Sequence, residues 1–145
     1  MTCRKLLITL ILTIFFNSNI FLLENKILLK VDNEIITSVD ILLEVQYLTA
    51  INKDIVKLKK EKIFEIAKNS LIKRKVKDKE LKKYAGNFKI DPSYVDKIIN
   101  ANASNLGFNS LNEFKNHLKS FGLDTENLKS RVLNEILWNE LVVNK

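Results

Sequence analysis

One histidine, His117, and one cysteine, Cys3, are all that this chain of 145 residues offers for imidazole or thiol chemistry. General-base or nucleophilic catalysis needs a base held within hydrogen-bond reach of a partner. His117 lies in "FKNHLKS", between the apolar positions Phe114 and Leu118, and reads as a partly exposed side chain on a helix surface. A zinc site takes three or four Cys, His or carboxylate ligands, and no second His or Cys stands near His117. Cys3 has no partner for a disulfide. A lipoprotein cysteine would follow its apolar segment, and Cys3 precedes it. Glu61 and Glu65 share a helix face at an i,i+4 step, but the lysines around them make ion pairing their expected role. The three glycines are isolated and form no phosphate-binding loop. The sequence therefore gives no catalytic, cofactor-binding or metal residue, and the chain by itself reads as a non-enzyme with no cofactor.

Binding is the chemistry left. The formal net charge is +7 and the sequence pI about 9.4, a balance that suits acidic partners. The basic residues concentrate between Lys57 and Lys83, where twelve Lys or Arg face only Glu61, Glu65, Asp78 and Glu80. Such a stripe is either a solvated helix face or a surface for nucleic acid or anionic membrane.

These side chains must be positioned mainly by helices. Hydrophobic residues make up 46% of the chain, charged residues 28%, and there are 3 Gly and 1 Pro. That composition suits one folded domain and is poor in the turn residues of an all-β fold. Arg4 and Lys5 precede the apolar run Leu6–Phe16, which has the length of a signal-peptide core and is short for a bilayer span. Residues 1–23 therefore read as a signal peptide, or as an uncleaved signal anchor continuing through Leu23. Ile27–Val31 and Glu34–Thr37 read as strands reversing at Asp32-Asn33, residues that tolerate left-handed dihedrals.

Ser38 then reads as the cap of a helix running to Ile51, with Val39, Leu42, Leu43 and Tyr47 as its apolar face. From about Asp54 a long helix carries the stripe Ile55, Leu58, Ile63, Ile66, Ala67 and Leu71, with Gly86 as its stop. Asp91 caps a helix with Pro92 at its first position and Gly107 at its end. Ser110 and Glu113 have capping-box spacing before Phe114, Leu118, Phe121 and Gly122. Asp124 or Thr125 opens the last helix, with Leu128, Val132, Ile136, Leu137 and Leu141 toward the core. The expected fold is mainly all-α, about five amphipathic helices with a small N-terminal β-hairpin, over residues 24–145.

That order of elements resembles the N-terminal domain of SurA-type periplasmic chaperones and their peptidyl-prolyl isomerase relatives. "VDNEIITSVDI", Val31 to Ile41, is similar to the family's V-N-x-E-x-I-T-x-x-D-L after the signal peptide. "IFEIAKNSLIKRKVKDKELKKYAGNFKI" and "DPSYVDKIINANASNLGF" resemble the helices that follow. "SLNEFKNHLKSFGLDTENLKSRVLNEILWNELV" resembles S-x-x-x-F-x-x-x-L-x-x-x-G-L followed by R-x-x-I-x-W-x-x-x-V. The individual motifs are loose; their order and spacing over Ile27 to Val143 carry the likeness. Lys30 and Asp32 depart from it mildly, standing where the relatives often have small or apolar residues.

The resemblance implies an exported, periplasmic, ATP-independent chaperone domain that holds unfolded outer-membrane polypeptides in an apolar cradle, with the membrane involved only through an uncleaved leader. It also implies a downstream parvulin isomerase domain, which this chain does not contain, and a C-terminal segment completing the chaperone core. Without that segment, an exposed apolar groove and weak self-association are expected. Phe88, Tyr94, Phe108 and Trp138 are candidates to line the cradle or to fill the core, and no position is assigned to peptide binding. The competing expectations are a basic module binding nucleic acid or an anionic membrane surface, and a membrane-anchored assembly subunit.

Overall fold

The computed structural model describes residues 25–84 and 88–144. The expected leader, Cys3 and the Gly86 stop lie outside the described residues. The elements are β1 (Ile27–Val31), β2 (Glu34–Thr37), α1 (Ser38–Ile51), a 3-10 turn (Ile55–Lys57), α2 (Lys60–Lys83), α3 (Pro92–Asn105), α4 (Leu111–Ser120) and α5 (Thr125–Val143). The fold is mainly helical with a two-stranded antiparallel hairpin, as expected. Asp32 takes the left-handed conformation of the reversal, φ 55°. The strands pair Val31 with Glu34 and Leu29 with Ile36, and an irregularity between Ile27 and Leu29 offsets the register at Leu28.

The helix ends follow side-chain chemistry. Asp91 accepts from the Ser93 N–H at 2.8 Å with Pro92 behind it, and Asp124 accepts from Glu126 N–H at 3.3 Å. Ser110 Oγ accepts from the Glu113 N–H at 3.1 Å, while the Glu113 carboxylate reaches one residue further back, to the Asn109 N–H at 3.0 Å. Gly107 and Gly122 follow their helices at φ 88° and 71°, conformations that any Cβ would strain.

Three local expectations are corrected. The cap of α1 is Thr37, not Ser38. Thr37 Oγ1 accepts from the Asp40 N–H at 3.2 Å and the Asp40 carboxylate accepts from the Thr37 N–H at 2.8 Å. Ser38 Oγ instead accepts from the Lys26 N–H at 3.0 Å, tying the entering chain to the helix. The buried face of α1 is Ile41, Glu44 and Ala50, whereas Leu42 and Leu43 are exposed. This helix is apolar on most sides, so periodicity alone does not single out a face. The long helix begins at Lys60 rather than near Asp54, because Asn52 Oδ1 takes the Asp54 N–H at 2.9 Å and Leu58 is extended, leaving Leu58 exposed.

Two apolar clusters result. Ile36, Ile41, Ala67 and Leu71 join the hairpin, the start of α1 and the middle of α2. Ala50, Val95, Ile99, Phe114, Leu118 and Val132 are among those that join the end of α1 to α3, α4 and α5. Helix α1 therefore enters both, and Glu44 lies on its buried face between them.

Candidate binding trough

Glu44 is 1% exposed and its carboxylate is fully engaged. One oxygen accepts from Ser70 Oγ at 2.7 Å; the other accepts from Arg74 Nη1 at 2.8 Å and Arg131 Nη1 at 2.9 Å. Ser70 and Arg74 lie one turn apart on α2, and Arg131 comes from α5, so one carboxylate fastens three helices. The Arg131 guanidinium also lies 3.9 Å from the centroid of the Tyr47 ring and donates through Nε to Asn127 Oδ1 at 2.9 Å. Burial lowers the Arg131 pKa and raises that of the Tyr47 phenol. The sequence reading missed this cluster. Its signal was composition: among many lysines the arginines are Arg4, Arg74 and Arg131, and the two within the described residues both reach Glu44.

Two guanidiniums on one carboxylate form part of the wall of a cleft of about 480 Å³ between α1, α2, α3 and α5. Lys73, Tyr94 and Asn139 stand around it. A second cleft of about 310 Å³ adjoins it, lined mostly by apolar side chains: Ile51, Ile99, Leu106, Phe114 and Leu128. Tyr47, Asn102 and Val132 belong to both. The two form one trough, charged at one end and apolar at the other.

Of the four aromatic candidates, Tyr94 is 48% exposed and lines the trough. Phe108 packs against the larger core, its ring 5.1 Å from Phe114 and 4.9 Å from His117. Trp138 is half-buried beneath the Lys77 ammonium, 5.6 Å from the ring centroid, and Phe88 is half-buried. His117, half-exposed as read, donates from Nε2 to the Ala50 carbonyl at 2.9 Å and so satisfies an end group of α1. Glu65 pairs with Lys68 at 3.2 Å, and Glu61 lies exposed in the first turn of α2. Among the described residues no cluster of His, Cys, Asp or Glu could hold a metal ion, and no helix is long and apolar enough to cross a membrane.

The basic stripe is largely consumed internally. Lys79 pairs with Asp32, Lys75 with Glu34 at 3.0 Å, and Lys82 with Glu34 at 3.3 Å, so α2 holds the hairpin by charge as well as by packing. Lys77 reaches Glu135 on α5 at 2.6 Å. The hydrogen bond from Lys79 lowers the Asp32 pKa, and that from Lys75 lowers the Glu34 pKa. Comparison with family models, curated proteins and solved structures returned no match for this chain.

Proposed function

We propose that this chain is a peptide-holding domain, similar to the N-terminal domain of SurA-type chaperones, that keeps unfolded outer-membrane polypeptides from aggregating in the periplasm without ATP or covalent chemistry. The observation that carries it is the trough: an accessible depression, apolar along much of its length, with a half-exposed tyrosine at its rim. Side chains from four helices wall it, so it keeps its shape while extended chains of different sequence enter and leave. Aggregation of a urea-unfolded outer-membrane β-barrel protein, diluted into physiological salt, tests it. Added chain slows light scattering at near-equimolar ratio; unchanged scattering rejects the reading.

A second reading rests on a separate patch. Val56, Leu58 and Phe64 are exposed at 59%, 41% and 42% beside Lys59, Lys60 and Lys62, which make no ion pair among the described residues. Apolar side chains set among lysines suit the interface of an anionic membrane. Steeply salt-dependent flotation with anionic vesicles, without any holding of unfolded protein, would favour this reading over the first.

A further inference from the structure

The charged end of the trough gives its ligand a direction. Glu44 neutralises one of the two guanidiniums it binds, and the other charge stays in the cleft wall. Glu135 is paired with Lys77 through both carboxylate oxygens, at 2.8 and 2.6 Å, and Glu140 also lines the cleft, so Lys73, Arg74, Lys77 and Arg131 against Glu44, Glu135 and Glu140 leave one net positive charge in its wall. Arg74 is 28% exposed and retains N–H donors beyond the one spent on Glu44, while Lys73 beside it is exposed and makes no ion pair among the described residues. The apolar cleft begins at residues this end shares with it, Tyr47, Asn102 and Val132. A ligand with a carboxylate next to an apolar side chain could occupy both adjoining parts together.

We infer that the trough receives the C-terminal end of an extended polypeptide, the α-carboxylate at Arg74 and Lys73 and an apolar terminal side chain among Ile99, Leu128 and Val132. This inference rests on the peptide-holding reading. A fatty acid offers the same charge and apolar bulk, but Asn102 and Asn105 line the apolar part, and their amides match a peptide backbone rather than a hydrocarbon tail.

Fluorescence anisotropy with the full chain tests this, using a labelled peptide ending in phenylalanine as the free acid or as the C-terminal amide. The acid is expected to bind about tenfold more tightly, as a charge-assisted contact allows. Arg74→Gln removes one of the two cations offered to the carboxylate and leaves Glu44 neutralised by Arg131, with Lys73 still in place; adding Lys73→Gln removes both. The single variant should weaken the preference for the acid and the double variant erase it, while circular dichroism shows the same helical fold. Equal binding of acid and amide overturns the inference and leaves the peptide-holding reading standing. Binding of neither overturns both. Competition by a fatty acid of matched length as strong as by the acid peptide overturns the assignment to polypeptide.

Discussion

Glu44 carries a charge into the interior at the junction of two apolar clusters, where an unpaired carboxylate would be costly. Two arginines and a serine make the position tolerable, and their removal is not symmetrical. Glu44→Gln leaves Arg74 and Arg131 facing each other without a counter-charge and should destabilise the fold by about 3 kcal/mol. Arg74→Gln leaves a neutral Glu44–Arg131 pair and should cost less, about 1.5 kcal/mol. Urea unfolding of the two variants checks the difference; equal losses would show that the network is not held together by its charge. None of this cluster was read from the sequence. Glu44 lies 30 residues from Arg74 on a helix whose other side chains are mainly apolar, and an acid in its middle looks like a solvated one. His117, by contrast, was legible, because Phe114 and Leu118 on either side fix which way its helix faces.

At the scale of elements, caps and ion pairs decide where helices begin and how the hairpin is held. Thr37→Ala removes the acceptor for the Asp40 N–H and should cost about 1 kcal/mol, while Ser38→Ala should cost only a few tenths. Thermal melts of the two variants distinguish them, and equal effects would contradict the assigned cap.

The hairpin's carboxylates add a pH dependence. Asp32 and Glu34 have ordinary pKa values of 3.8 and 4.5, and the lysines of α2 hold both lower in the folded chain. Their contribution to docking is complete above those ordinary values and is lost as pH falls through the depressed ones. Amide exchange in residues 27–37, corrected for its intrinsic pH dependence, should therefore rise relative to α4 in acid below the ordinary values. Parallel behaviour of the two regions would show that the ion pairs do not hold the hairpin. The strands, their turn and the caps at Asp91, Ser110 and Asp124 were legible from short-range chemistry alone. The start of α2 was not, because the apolar spacing continues through the 3-10 turn at Ile55–Lys57 and only the Asn52 side chain and the extended Leu58 break the helix.

For the whole molecule, two apolar clusters that meet at the charged Glu44 junction leave a trough between α1, α2, α3 and α5 rather than one continuous core. The helical class was readable from composition and periodicity. An exposed apolar groove was expected only from the family resemblance; the place and lining of this trough were not readable, because it lies where helices distant in sequence fail to close on one another, and no local pattern encodes a gap. The same assembly explains why the lysine stripe is a poor guide to function: much of it faces carboxylates on the hairpin and on α5.

The most direct measurement fills the trough. Asn102 is exposed, belongs to both of its parts and lies outside both apolar clusters, so Asn102→Trp should block the trough while preserving the fold. In the light-scattering assay with unfolded outer-membrane protein, the unaltered chain should suppress aggregation, and the variant should lose most of that effect with the same helical content. Full suppression by the correctly folded variant would contradict the account.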